Sequence, residues 1–272
     1  MTNFDELLKE LAANNGIHDR ISVFPYFGDF DCGVGYIYFG NPPQRYVDIT
    51  FGKVVAIITM CELRALIAHE LAHIRAGHTS KLAFRILFVV SRAHPCPLKT
   101  FVLSMLVAIV KIRRWFVGKG EELQADSMAC AYLPSASLAR FLVKASAFDC
   151  AVAVLEHRSA SDFLSASSLS DSLAKTKGSR SLSLENLQLI TRAFQTNGSF
   201  FRSCSQRAKR LDRSSWSHPS IAERLKRLGH DWDTVEESCT FEMEELIDFE
   251  AFRNWKANAS PSTVAYTASA DV

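Results

Sequence analysis

The stretch Thr59-Met60-Cys61-Glu62-Leu63-Arg64-Ala65-Leu66-Ile67-Ala68-His69-Glu70-Leu71-Ala72-His73-Ile74-Arg75-Ala76-Gly77 decides how this chain folds. Thr59 and Glu62 have the spacing of a capping box, in which each side chain satisfies a backbone N–H at the start of a helix. Leu63, Leu66, Ile67, Leu71 and Ile74 then recur every three or four residues, the period of a helix face turned to a core. Gly77 stands where a helix C′ residue belongs. On that helix His69 and His73 lie four apart, so both imidazoles leave one face and can aim at one metal ion, with Glu70 beside them. This is the HExxH arrangement of a zinc hydrolase site.

A catalytic zinc takes three protein ligands and keeps its fourth position for water. In the spacing HExxHxxGxxH the third ligand is a histidine six residues after the second, but here Gly77 and His78 follow His73 by four and five. On a continued helix His78 would point about 140° away from His73, so it reads as a surface or helix-end residue. The better candidate is Glu122, 49 residues beyond His73, in Glu122-Leu123-Gln124-Ala125-Asp126. Gly118-Lys119-Gly120 breaks the chain just before it, and Glu121 to Tyr132 reads as a helix that ends before Pro134. Asp126, one turn on along the same face, can accept a hydrogen bond from the non-ligating nitrogen of a metal-bound histidine and fix its tautomer. Ala125, Met128, Ala129 and Cys130 mark this helix as largely buried.

HELAH at 69–73 and ExxAD at 122–126, followed by Ser217-His218-Pro219-Ser220 and Glu223-Arg224-Leu225, resemble the three ordered motifs of the M48 family of zinc metallopeptidases. The resemblance spans about Asp48 to Leu228. It implies an α+β, zincin/gluzincin-like fold, mainly helical, with a small N-terminal mixed sheet packed on the HExxH helix. It implies one zinc ion per chain, held by His69, His73 and Glu122, with Glu70 as general base. It also gives His218 the role of donor to the oxyanion, and Arg224 that of anchoring an acidic side chain or orienting His218. The expected activity is endopeptidase cleavage of unfolded or membrane-associated polypeptide; the alternative is a latent zinc-binding, chaperone-like or membrane-associated protein. The long N-terminal membrane helices of the heat-shock type of M48 protein have no counterpart in residues 1–45, which contain no long apolar run.

At 272 residues and 48% hydrophobic content the chain can bury a sizeable core. We expect a single metallopeptidase domain over 1–256 and a flexible tail over 257–272. A net charge of +2, without an aromatic-interleaved basic stripe, argues against nucleic acid as a partner. Seven scattered cysteines and no signal-peptide pattern point to reduced thiols and a cytoplasmic location; Cys32 reads as an ordinary loop or buried thiol.

Residues 1–15 read as an amphipathic helix, and Ile21–Tyr26, Val34–Phe39, Tyr46–Phe51 and Val54–Thr59 read as strands. Val34–Phe39 is the expected cleft-lining edge, where an extended substrate can add as a further strand. A helical hairpin insert is expected at about 80–116, with apolar arms Leu82–Val90 and Phe101–Val110. Each arm rises only about 15 Å, half a hydrocarbon core. Either it is a core or lid hairpin, or it dips into a membrane surface, helped by Lys111, Arg113, Arg114, Trp115 and Phe116, which would place the protein peripherally or monotopically at the cytoplasmic face. A serine-rich loop at about 159–183 precedes a helix around Leu184–Gln195. Asp231–Glu250 reads as an amphipathic helix docked on the domain.

Overall fold

The computed structural model describes residues 4–18, 20–23, 33–39, 44–78, 105, 117–155, 182, 184–214 and 218–258. Apart from residues 105 and 182, the hairpin insert expected at about 80–116 and the serine-rich loop expected at about 159–183 lie outside the described residues, as do Cys32 and the tail beyond 258. Among the described residues no helix is long and apolar enough to cross a membrane.

Helix α1 (Phe4–Asn14) buries Leu7, Leu8, Leu11 and Ala12. Strands β1 (Arg20–Val23), β2 (Gly33–Phe39) and β3 (Gln44–Thr50) follow. They form one mixed sheet in the order β1-β3-β2. β1 runs parallel to β3, with Ile21 beside Val47, and β2 runs antiparallel to it, with Val34 beside Ile49. The centre of the sheet is therefore β3, whose Val47 and Ile49 are fully buried. Among the described residues β2 is an edge of this sheet, pairing with β3 alone.

The run Val54–Thr59 is not a strand. Lys53–Ile57 coils into a short 3-10 helix in which all five residues are buried. A continuous apolar run carries no alternation to separate strand from buried helix, and here the chain must turn from the sheet into the next helix. Pairing survives only at its end, where Ile58 O accepts from Ile247 N–H at 3.1 Å and Thr59 bridges Leu246.

Helix α2 (Met60–Arg75) opens with both halves of the expected capping box: Thr59 N–H donates to Glu62 Oε2 at 2.8 Å and Glu62 N–H to Thr59 Oγ1 at 3.4 Å. It closes at Gly77, whose φ of +73° lies in the left-handed region that glycine enters without strain. Helix α3 (117–129) follows the undescribed interval. It includes the Gly118-Lys119-Gly120 segment expected to break the chain, although each glycine costs a helix about 1 kcal/mol, and it ends three residues short of Tyr132.

Helix α4 (Ser135–Leu155) is the longest described element, with Leu138, Val143, Phe148 and Ala151 in the core. It packs on α2, on α5 (Leu184–Thr196) and on α6 (Gly198–Leu211). Helix α7 (Ile221–Arg227) is capped by Ser220, which accepts from Glu223 N–H at 3.1 Å, and by Asp212, which accepts from Ile221 and Ala222. The single helix expected over Asp231–Glu250 is two: α8 (Trp232–Glu237) and α9 (Phe249–Asn258). Between them Ile247 is drawn into the core and its backbone into the bridge with Ile58, which interrupts helical pairing.

Candidate metal centre

Three elements converge on one point. α2 supplies His69, Glu70 and His73, α3 supplies Glu122 and Asp126, the turn into α7 supplies His218, and α7 itself supplies Arg224. His69 Nε2 and His73 Nε2 stand 3.2 Å apart, while Glu122 reaches His69 Nε2 with Oε2 at 3.5 Å and His73 Nε2 with Oε1 at 3.6 Å. Four ligands at the bond lengths usual for zinc have a tetrahedral edge of about 3.3–3.4 Å. The two histidine nitrogens have the separation of a tetrahedral edge, each has a Glu122 oxygen close to that distance, and one ligand atom from each residue lies within 4.8 Å of the others. Two imidazole nitrogens and one carboxylate are a donor set that suits zinc.

The surrounding groups hold these donors in place. His69 Nδ1 lies 2.9 Å from Asp126 Oδ1. Asp126 in turn accepts a two-pronged bond from Arg224, Nε to Oδ2 at 2.8 Å and NH2 to Oδ1 at 2.6 Å. Planar guanidinium and planar carboxylate match in this fork, which fixes orientation as well as charge. Arg224 also places NH1 3.5 Å from Glu122 Oε2, so a single cation serves both carboxylates. Asp126 is 2% exposed at its side chain and Arg224 12%, so water screens this contact little.

Glu70 is buried next to His69 on α2, and its charge acts on both His69 and Arg224. His218 is different: half exposed, it lies at the rim with Nδ1 3.5 Å from Glu122 Oε1. The structure therefore brings all seven residues singled out from sequence into one cluster.

Sequence reasoning missed the position of His78. Its Nδ1 is 2.9 Å from His73 Nδ1, and its Nε2 is 3.2 Å from Gln124 Oε1. The residue does sit at the helix end, but the turn at Gly77 reverses the chain and returns its ring to α2. The sequence signal for that reversal was Gly77 itself.

Electrostatically the pocket favours a cation. Burial opposes charging His69, yet the carboxylates of Asp126 and Glu122 outweigh it and lift the imidazole to about 9. Burial and the adjacent His69 push His73 down to about 3, which leaves its nitrogen bare. Burial works against ionising Glu122 and Asp126, but contacts with His218 and His69 for the first, with His69 and Arg224 for the second, hold both well below the usual carboxylate range. Arg224 is raised despite its burial, chiefly by Asp126. Glu122 thus presents an ionised oxygen and His73 a bare nitrogen, while His69 would give up its proton as a metal binds.

The family model for peptidase family M48 matches residues 4–231, an interval that contains every residue of this cluster. No curated protein matches the chain, and no solved structure does.

Proposed function

Because the chain belongs to peptidase family M48, we propose that it is a zinc-dependent endopeptidase in which His69, His73 and Glu122 hold the ion and Glu70 is the general base. A metallopeptidase of this family acts on polypeptide. The observation that carries the finer reading is the convergence of two imidazole nitrogens 3.2 Å apart with the two oxygens of Glu122, one 3.5 Å from His69 Nε2 and the other 3.6 Å from His73 Nε2. Zinc held there supplies Lewis acidity to the scissile carbonyl and to the attacking water.

The chain's own residues do the rest. Glu70 takes a proton from the water as it attacks and delivers it to the leaving amine, so one carboxylate serves both halves of the reaction. The Arg224–Asp126 fork keeps the ring of His69 turned so that Nε2 faces the ion. His218, at the rim, donates to the carbonyl oxygen as negative charge develops on it. β2 offers an edge on which an extended substrate backbone can pair as a further strand, which selects unfolded or locally extended chains.

Membrane-associated polypeptides and a membrane-dipping role for 82–110 belong to the same proposal, as does a cytoplasmic, peripheral or monotopic location. The test is reconstitution. Chelator-stripped protein should fail to hydrolyse casein and one equivalent of zinc should restore cleavage; restoration without metal would remove the zinc mechanism.

A further inference from the structure

His69 has an ionic support in Asp126, whereas His73 has a neutral one of a different kind. The reversal at Gly77 is closed by two backbone bonds, His78 N–H to His73 O at 2.9 Å and Gly77 N–H to Ile74 O at 3.1 Å. These are the paired bonds of a Schellman end. They set the His78 ring nearly edge-on to His73, with centroids 5.0 Å apart and planes at 66°. On the far side of His78 stands Gln124, carried by the helix that supplies Glu122 and Asp126.

The protons along this line can be assigned. His73 Nε2 faces the metal site and must be bare to ligate, so the ring's proton sits on Nδ1. Nδ1 then donates across 2.9 Å to His78 Nδ1, which must accept. That places the proton of His78 on Nε2, 3.2 Å from Gln124 Oε1, an amide oxygen that can only accept. Every donor in the chain has an acceptor, and only this arrangement leaves His73 Nε2 unprotonated.

We propose that Gln124 and His78 form a positioning relay for His73, fixing its tautomer and ring angle from outside the ligand set. The proposal rests on the metal-centre reading above. His78 and Gln124 touch neither substrate nor ion in this role; they act through His73. The relay explains why a helix end is folded back against the site, and it pairs with the Asp126–Arg224 fork so that each ligand histidine is held at its second nitrogen. The two supports differ in kind: the fork adds negative charge behind His69, while the relay orients His73 with no formal charge of its own.

The experiment is a zinc competition titration against a chromophoric chelator, using the full chain of wild type, His78→Ala, Gln124→Leu and the double variant. It is accompanied by imidazole 15N spectra of the zinc-loaded proteins. Loss of such a support weakens metal binding about 10- to 100-fold, which is the result expected for His78→Ala. Gln124→Leu should weaken it about 3- to 10-fold and add nothing in the His78→Ala background, because the two act as one unit. In the wild type the His73 Nδ1 resonance should be that of a protonated nitrogen, and in His78→Ala its proton should exchange faster with solvent. A His78→Ala protein that binds zinc within twofold of wild type, or effects of the two substitutions that simply add, would overturn the relay. Should His78→Ala fail to fold, the exposed Gln124→Leu variant decides alone, by weakened or unchanged affinity. A wild type that takes up no zinc would remove the metal centre itself; one that binds normally while both variants are indifferent removes the relay only.

Discussion

His218 is the residue whose role the geometry constrains least by contact and most by position. It is half exposed, and its Nδ1 stands 3.5 Å from Glu122 Oε1. If it donates to the developing oxyanion, His218→Ala should retain zinc and lose about 10²- to 10³-fold in kcat. Steady-state kinetics with a fluorogenic peptide checks this, and an unchanged kcat would return His218 to a structural role. His69, Glu70, His73, Glu122 and Asp126 were legible because metal chemistry is written in spacing: His73 follows His69 by four residues, and Asp126 follows Glu122 by four. Arg224 was legible only through the family's third motif, since nothing local in its sequence says that its guanidinium reaches Asp126. His78 and Gln124 were not legible as partners. Their meeting depends on a left-handed turn at Gly77 and on the docking of a helix 46 residues away.

At the scale of elements, the central strand carries a cost that pH can reveal. Asp48 lies on β3, and burial raises its carboxyl to about 6 against the smaller opposing pull of Lys256. An acid whose folded pKa exceeds its unfolded value is stabilising only when protonated. The folded state binds the extra proton between about pH 4 and 6, so stability falls as pH rises through that window. Asp48→Asn should remove the fall. After allowance for partial exposure the gain at pH 7.5 is about 1 kcal/mol, or roughly 2–4 °C in Tm for a chain of this size, with no gain at pH 4. Thermal unfolding of both proteins at the two pH values measures it; equal Tm differences at both would show that Asp48 is not the source.

Local signals also fixed the elements unevenly. The capping box and Gly77 marked both ends of α2 because they are side-chain and backbone requirements of the helix itself. Val54–Thr59 misled because its residues are buried on every side, which erases the alternation that identifies a strand. The glycines at 118 and 120 misled because a glycine lowers helix propensity by only about 1 kcal/mol and does not forbid a helix.

For the molecule as a whole, one buried lysine ties the metal helix to the C-terminal segment. Lys144 of α4 donates to Glu62 Oε2 at 3.0 Å and to Thr240 O at 2.7 Å, and lies 4.6 Å from the centre of the Phe241 ring. Both Lys144 and Glu62 are fully buried. Lys144→Met would leave Glu62 buried with Arg140, 3.4 Å away, as its one remaining cation among the described residues, and should cost about 3–5 kcal/mol. Chemical denaturation would show this as a lower midpoint at unchanged slope, and an unchanged midpoint would mean that the pair contributes no net stability. No sequence pattern announces such a contact, because the two residues are 82 positions apart and neither breaks the periodicity of its helix. The mixed sheet and the mainly helical class were legible through the family resemblance, with which the short strand-like runs ahead of the HExxH helix agree.

The measurement that bears most directly on the central claim compares wild type with Glu70→Gln for hydrolysis of casein, with bound zinc quantified in the same samples. Glu70 is the proposed base and lies outside the ligand set, so the substitution separates chemistry from metal binding. We predict one zinc per chain in both proteins and a loss of turnover of about 10³-fold or more in Glu70→Gln. Equal turnover by the two proteins, with zinc present in both, would contradict the account.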